Sequence, residues 1–99
     1  MTQSDPAKFD LGQVVGTSQA VRFCEEQDID IFVLLRRHAL GDWGELTHAD
    51  RLANAAALLD GSRVLSVYTF KAGKVWVLTE AADDQGSRAS TCVMLPSDY

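Results

Sequence analysis

Apolar residues change their spacing part-way along the chain. Up to about residue 61 they recur mostly at helical spacing, and beyond it they fall in short runs rich in β-branched residues. The segment FDLGQVVGT, which begins at Phe9, is an exception near the start of the chain, because its β-branched residues between Gly12 and Gly16 predict a short first strand.

Two short helices are predicted after this strand. Helix one covers residues 19–27, with Ser18 as its amino-terminal cap and with Ala20, Val21 and Cys24 turned inward. The next segment, DIDIFVLLRRHAL, is ambiguous, because its apolar residues alternate as in a strand while Asp30 as a cap and Gly41 as a stop suit a helix. We interpret it as helix two, since the basic last turn (Arg36, Arg37 and His38) complements the helix dipole.

Helix three has the clearest pattern in the chain. It begins at Thr47, and Gly61 follows as a left-handed terminator. Its apolar residues recur at helical spacing, which predicts that one face packs on the sheet. The residues of this predicted inner face are Ala49, Leu52, Ala53, Ala56 and Leu59.

Three strands are predicted after helix three, in the runs RVLSVYTF, KVWVLTE and STCVMLP. The chain is therefore expected to form one α+β domain over residues 9–99, ordered β-α-α-α-β-β-β, after a flexible leader over residues 1–8. We expect an antiparallel sheet of three or four strands with the helices packed on one face. The sheet leaves two strand edges unpaired, and its other face, assigned to Val67, Val75 and Val77, is apolar. Both features suggest that a second subunit covers them in a homodimer.

The composition agrees with a soluble cytoplasmic domain. The chain has 99 residues, of which 46% are hydrophobic and 23% charged, an ordinary globular balance. Its longest apolar run, residues 31–35, is too short to cross a bilayer, and its start has no signal-peptide pattern. Cys24 and Cys92 are expected to be reduced and buried, although a bridge between them stays open if the fold brings them together.

The charge of the chain favours a protein partner over a nucleic acid. The net charge of −5 lies wholly in residues 1–50, which hold nine acids and four bases. The densest acidic group, Glu25, Glu26, Asp28 and Asp30, would attract basic partners and repel phosphate, and a basic stripe with aromatic residues is missing. The same acids also suit the solvated face of helix one and the cap of helix two.

We expect neither an enzyme nor a bound cofactor or metal. The cysteines stand in apolar patterns without a paired histidine, and a metal site would need a loop to gather His38, Asp42, His48 and Asp50. Trp43, between two glycines, is either a core anchor or an interaction hot spot. The candidate protein-binding residues are Glu25, Glu26, Asp28, Asp30, Asp42 and Trp43.

Several strings along the chain resemble a family of small bacterial proteins, often carried on plasmids and other mobile elements, that has no agreed activity. They are LGQVVGT, RHALGDWGEL, GSRVLSVYTF, VWVLTEA and STCVMLPSDY. The resemblance implies a mobile-element setting, in which small acidic proteins are often inhibitors of host defence, so the leading hypothesis is a stoichiometric inhibitor of the anti-CRISPR or anti-restriction kind. A plasmid maintenance or regulatory accessory protein and a small metal-dependent enzyme are the alternatives. The run IFVLLRRH is more apolar than the resemblance leads us to expect, which suggests a partner surface particular to this chain.

Overall fold

A computed structural model describes residues 7–99 and confirms the α+β class. Seven helices and strands are followed by a short 3-10 helix, which the predicted order lacks. The elements are β1 (Gln13–Gly16), α1 (Ser18–Glu26), α2 (Ile31–Ala39), α3 (His48–Asp60), β2 (Val64–Phe70), β3 (Gly73–Thr79), β4 (Ser90–Met94) and the 3-10 helix (Pro96–Asp98).

The four strands form one mixed sheet in the order β1-β4-β3-β2. β2, β3 and β4 pair antiparallel, as their hairpin links predict. The prediction of a wholly antiparallel sheet is wrong for β1, which runs parallel to β4 with Gln13 opposite Ser90. A tight hairpin forces antiparallel pairing, whereas the long helical connection after β1 leaves either direction open.

The helices cover one face of the sheet. α1 packs on β4, α2 on β3 and α3 on β2. The assignment of Val75 and Val77 to the open face is wrong, because the strand register places them beside Tyr68 and Ser66, buried under the helices. The main core contains Ala20, Cys24, Leu34, Leu35, Tyr68, Val75, Val77 and Val93.

Local capping contacts set the helix ends. Thr17, rather than the predicted Ser18, caps α1, with its hydroxyl oxygen accepting from the Ala20 amide at 3.1 Å. Asp30 caps α2 as expected, and Thr47, the predicted start of helix three, caps α3, which begins at His48. Gly61 ends α3 with a φ of 81°, in the left-handed region that glycine adopts without strain.

The predicted inner face of α3 is wrong, because all five of its residues are exposed. Asn54 and Ala57 face the sheet instead. The Asn54 amide group donates to the Leu65 carbonyl at 2.7 Å, and its oxygen accepts from the Leu65 N–H at 3.1 Å. This polar contact with the backbone of β2, together with the close approach of Ala57, turns the apolar stripe toward solvent.

Two predictions concern the ends and environment of the chain. Residues 1–6 of the predicted leader lie outside the described residues, whereas the Lys8 amide donates to the Ala39 carbonyl at 2.8 Å. Within residues 7–99, no helix combines the length and apolar character that crossing a membrane requires.

Candidate protein-binding surface

One edge of the sheet is closed by the chain itself. At the β2 edge, the Val67 amide donates to the Trp43 carbonyl at 3.0 Å, and the Glu45 amide donates to the Val67 carbonyl at 2.8 Å. On the same edge, the side chain of Asn54 forms hydrogen bonds with both the amide and the carbonyl of Leu65. The backbone amides and carbonyls on the outer side of β2 therefore largely have hydrogen-bond partners.

The β1 edge is open by contrast. The Gln13 amide donates to the Ala89 carbonyl at 3.0 Å and the Thr17 amide to the Val93 carbonyl at 2.9 Å. In a parallel ladder, alternate residues bond the same neighbour, so the backbone groups of Val14 and Gly16 face away from β4. In the part of the chain that the structure describes, no strand pairs with this outer side of β1.

A shallow apolar groove of about 150 Å³ lies beside this edge. Its lining includes Val14, Gly16, Val21, Ile31, Phe32 and Leu35. Phe32 is 78% exposed although it is a large aromatic residue. A Cβ atom at Gly16 would lie 3.2 Å from Cγ2 of Val21, so the glycine permits β1 to approach α1 closely.

The packing of the helical layer explains why this groove is left open. α1 and α2 lie over β4 and β3, so all four residues of β1 remain exposed. Val21, predicted to point into the core, is exposed and lines the groove instead. The apolar pattern of α1 therefore continues past the core onto the surface.

The four predicted acids lie around the turn between α1 and α2, and all are exposed. Asp30 directly precedes the groove residues Ile31 and Phe32, and its carboxylate accepts from the Phe32 amide at 2.9 Å. Asp28 has a φ of 56° and occupies the left-handed position of a Schellman turn, in which the Ile29 amide donates to the Cys24 carbonyl. Asp28 and Asp30 thus shape the turn as well as carrying charge.

Asp42 and Trp43 lie elsewhere, in the segment beside the β2 edge. Trp43 is 9% exposed and packs with Ala57 and Val64, which fits the core alternative for this residue. Its Nε1 is a buried donor without a hydrogen-bond partner among residues 7–99. The guanidinium of Arg37, 2.7 Å from Asp42, lowers the pKa of that carboxyl group. The six candidate residues therefore do not form one surface.

The histidine and carboxylate residues considered for a metal site are not gathered. His38 is fully buried, whereas His48 is exposed at the start of α3. Among residues 7–99, no group of three or more histidine, cysteine, aspartate or glutamate side chains is arranged to hold an ion.

His38 instead belongs to a buried chain of hydroxyl groups. The Thr91 hydroxyl donates to the Leu11 carbonyl at 2.7 Å, so it must accept from Thr79, whose Oγ1 lies 2.6 Å away. Thr79 then accepts from Nε2 of His38 at 2.8 Å, and Nδ1 accepts from the Ser66 hydroxyl at 2.6 Å. This order assigns the imidazole proton to Nε2.

Sequence reasoning missed the partners of His38. Ser66, Thr79 and Thr91 stand at strand positions whose side chains face the core, and all three are fully buried. Hydroxyl groups alternating with valines within β-rich runs were the available signal, because a buried hydroxyl requires a hydrogen-bond partner.

Cys24 is buried as expected, whereas Cys92 is only partly buried, and both are free thiols, so the alternative of a bridge between them is not observed. Burial raises the pKa of each. The protonated thiol is a poor nucleophile, and neither cysteine is activated by its surroundings.

Comparisons of the chain with protein-family models, with curated proteins and with solved structures give no match. The binding properties of the chain must therefore be inferred from its own surface.

Proposed function

We propose that this chain is a non-enzymatic, cytoplasmic protein-binding module that adds a strand of a partner protein to its β1 edge. The observation that carries the proposal is the coincidence of an open strand edge with an apolar groove. In strand addition, main-chain hydrogen bonds provide affinity, and pockets for alternate side chains provide specificity. Val14 and Gly16 offer the backbone groups, and the side chains around Phe32 offer the pocket.

The difference between the two edges supports this function. Exposed strand edges invite aggregation, and natural proteins usually cover or blunt them. This chain covers β2 with a backbone segment and with Asn54, but leaves β1 uncovered within residues 7–99. An edge left open beside exposed apolar side chains is the arrangement that a binding edge requires.

The charge beside the groove indicates the chemistry of the partner segment. Asp30 adjoins the groove, and Glu25 and Glu26 are exposed at the carboxyl end of α1. Acidic groups raise the association rate of a basic partner at low salt. We therefore infer an extended segment with an apolar side chain for the groove and basic residues on one flank.

The resemblance to mobile-element proteins gives the proposal its narrower form. In that setting the partner is a protein of a host-defence complex, either CRISPR or restriction, and the chain inhibits it by stoichiometric contact. The apolar run of helix two supplies Phe32 and Ile31 to the groove, which supports the proposal that this run forms a partner surface.

Phe32→Ala and Val33→Ala form a matched pair that tests the groove. Both residues are exposed neighbours on α2, but only Phe32 lines the groove. Burying a phenylalanine side chain contributes roughly 1.5–3 kcal/mol, so Phe32→Ala should reduce partner binding about tenfold or more. Val33→Ala should leave it nearly unchanged. Quantitative capture of bound proteins from the source cells measures both variants.

Equal retention of the captured protein by Phe32→Ala and the unchanged chain would show that the groove is not the binding site. The inhibitor assignment has its own readout, namely phage plating on cells that carry an active restriction or CRISPR system. The unchanged chain should raise plating, and Phe32→Ala should not. Capture without any rise in plating would retain the binding module and remove its defence target.

A further inference from the structure

α3 has two apolar faces, and only one of them is used within the molecule. Its inner face contains Ala57, which is fully buried, and Leu58. On the outer face, Leu52 is 59% exposed and Leu59 is 92% exposed. Exposed apolar patches on a small domain mark sites of protein contact, so the outer face is a candidate for one.

The outer face has the spacing of a coiled-coil seam. Ala49, Leu52, Ala56 and Leu59 follow one another at intervals of three, four and three residues. Ala49 and Ala56 occupy the first position of the repeat, and Leu52 and Leu59 occupy the second position, three residues later. The seam therefore alternates small and large side chains along its whole length.

We propose that this face binds the same face of a second copy of the chain, with the two α3 helices antiparallel about a twofold axis. In an antiparallel seam, the first position of the repeat on one helix packs against the second position on the other. Leu59 therefore lies opposite Ala49, and Leu52 lies opposite Ala56. Each layer then contains one large and one small side chain, so the helices interlock at close range. A parallel pair would set leucine against leucine and alanine against alanine, so the wide leucine layers would hold the helices apart at the narrow alanine layers.

The charges at the two ends of α3 favour the same arrangement. Glu45 precedes the helix and Arg63 follows it; within residues 7–99 neither takes part in an ion pair, and the contacts of Arg63 with the hydroxyl and ring of Tyr99 leave its charge uncompensated. Antiparallel pairing brings Glu45 of one copy toward Arg63 of the second copy, whereas parallel pairing would bring like charges together. It also places each positive helix end beside the negative end of the other.

The size of the contact predicts its strength. α3 has 13 residues and is therefore about 20 Å long. Two such helices bury less than the roughly 1,200 Å² of the smallest stable interfaces, so we expect a dissociation constant on the order of 10–100 µM. Sedimentation equilibrium of the full chain should show monomer at low micromolar concentration and a dimer at several hundred micromolar.

Leu52→Glu combined with Leu59→Glu tests the seam, because both side chains are exposed and the fold does not depend on them. This variant should stay monomeric at every concentration, as four buried carboxylates would face one another. Val33→Glu, which places a carboxylate on an exposed apolar position of α2, should dimerise like the unchanged chain. Dimerisation of the double variant would overturn the proposal, as would a wild-type chain that is monomeric near 1 mM, far above the expected range.

A cysteine pair tests the orientation of the two helices. Ala53 is exposed beside the midpoint of the seam, so its two copies lie on the same side of an antiparallel pair but on opposite sides of a parallel pair. Ala53→Cys should form an intermolecular disulfide under mild oxidation. Lys71→Cys, at the exposed turn between β2 and β3, should form far less. A dimer in which Ala53→Cys links no faster than Lys71→Cys would refute the antiparallel arrangement.

Discussion

His38 is an imidazole with no exposed surface, and its hydrogen bonds depend on its being neutral. Nδ1 accepts from the Ser66 hydroxyl while Nε2 donates to Thr79. Adding a proton to Nδ1 would therefore remove the acceptor of the Ser66 hydroxyl and break the sequence of hydrogen bonds. Burial, together with the nearby charge of Arg88, lowers the pKa of His38 to about 4. The histidine is thus a structural element of the core rather than a ligand or a base.

The charge state of His38 predicts how stability depends on pH. The unfolded chain binds the proton near pH 6.5 and the folded chain near pH 4, so the free energy of unfolding should rise with pH across this window. The difference amounts to about 3 kcal/mol, fully present above the unfolded pKa. Denaturant unfolding between pH 4 and pH 7.5 measures it.

His38→Gln is the control for this pH dependence. The variant should be less stable at neutral pH, but its stability should change little across the same window. Asp42, Asp60, Asp83 and Asp98 have lowered pKa values, so they also lose stabilisation as pH falls from about 5, but they do so in both chains, and the difference between the two chains isolates His38. An equally steep pH dependence in His38→Gln would contradict the assignment.

At the scale of elements, one side chain joins α3 to the edge of β2. Asn54 satisfies both the amide and the carbonyl of Leu65, so its removal leaves two backbone groups unpaired. Asn54→Ala should lower the free energy of unfolding by about 2 kcal/mol. Asn54→Asp should cost at least as much, since a carboxylate oxygen would then face the Leu65 carbonyl.

Denaturant unfolding at pH 7 measures both Asn54 variants. A loss below about 0.5 kcal/mol, the level of an ordinary surface substitution, would show that the contact with β2 contributes little. The matched aspartate variant separates the lost donor from the lost volume, because it has nearly the shape of asparagine.

The elements that sequence predicts well are those set by neighbouring residues. The caps Asp30 and Thr47, the terminator Gly61 and the two hairpins all depend on contacts a few residues apart. The direction of β1 depends instead on pairing with β4, whose residues come 77 positions later in the chain, and no local pattern specifies that pairing.

The side of α3 that meets the sheet was not predictable for a related reason. Periodicity identifies an apolar stripe but cannot say whether the sheet or a second molecule covers it. The decisive residue, Asn54, is polar and therefore counted against the buried side in the sequence. The candidate site shows the same limit, because the groove unites Val14, Val21 and Phe32 from three elements.

At the scale of the whole molecule, the two proposed surfaces lie at opposite edges of the sheet. β1 is one edge and β2, under α3, is the other. A dimer formed through α3 would leave both β1 edges free. Two linked binding edges raise the effective affinity for a partner that presents two copies of the same segment, without any new contact.

Strand addition at β1 is the central claim, and residue-resolved amide hydrogen exchange of the chain, alone and with its captured partner, tests it most directly. The outward amides of Val14 and Gly16 should exchange rapidly in the free chain and become strongly protected in the complex. The Val67 amide on the closed edge, already bonded to Trp43, should change little. Unchanged exchange at Val14 and Gly16 in a chain that remains bound to its partner would contradict the claim.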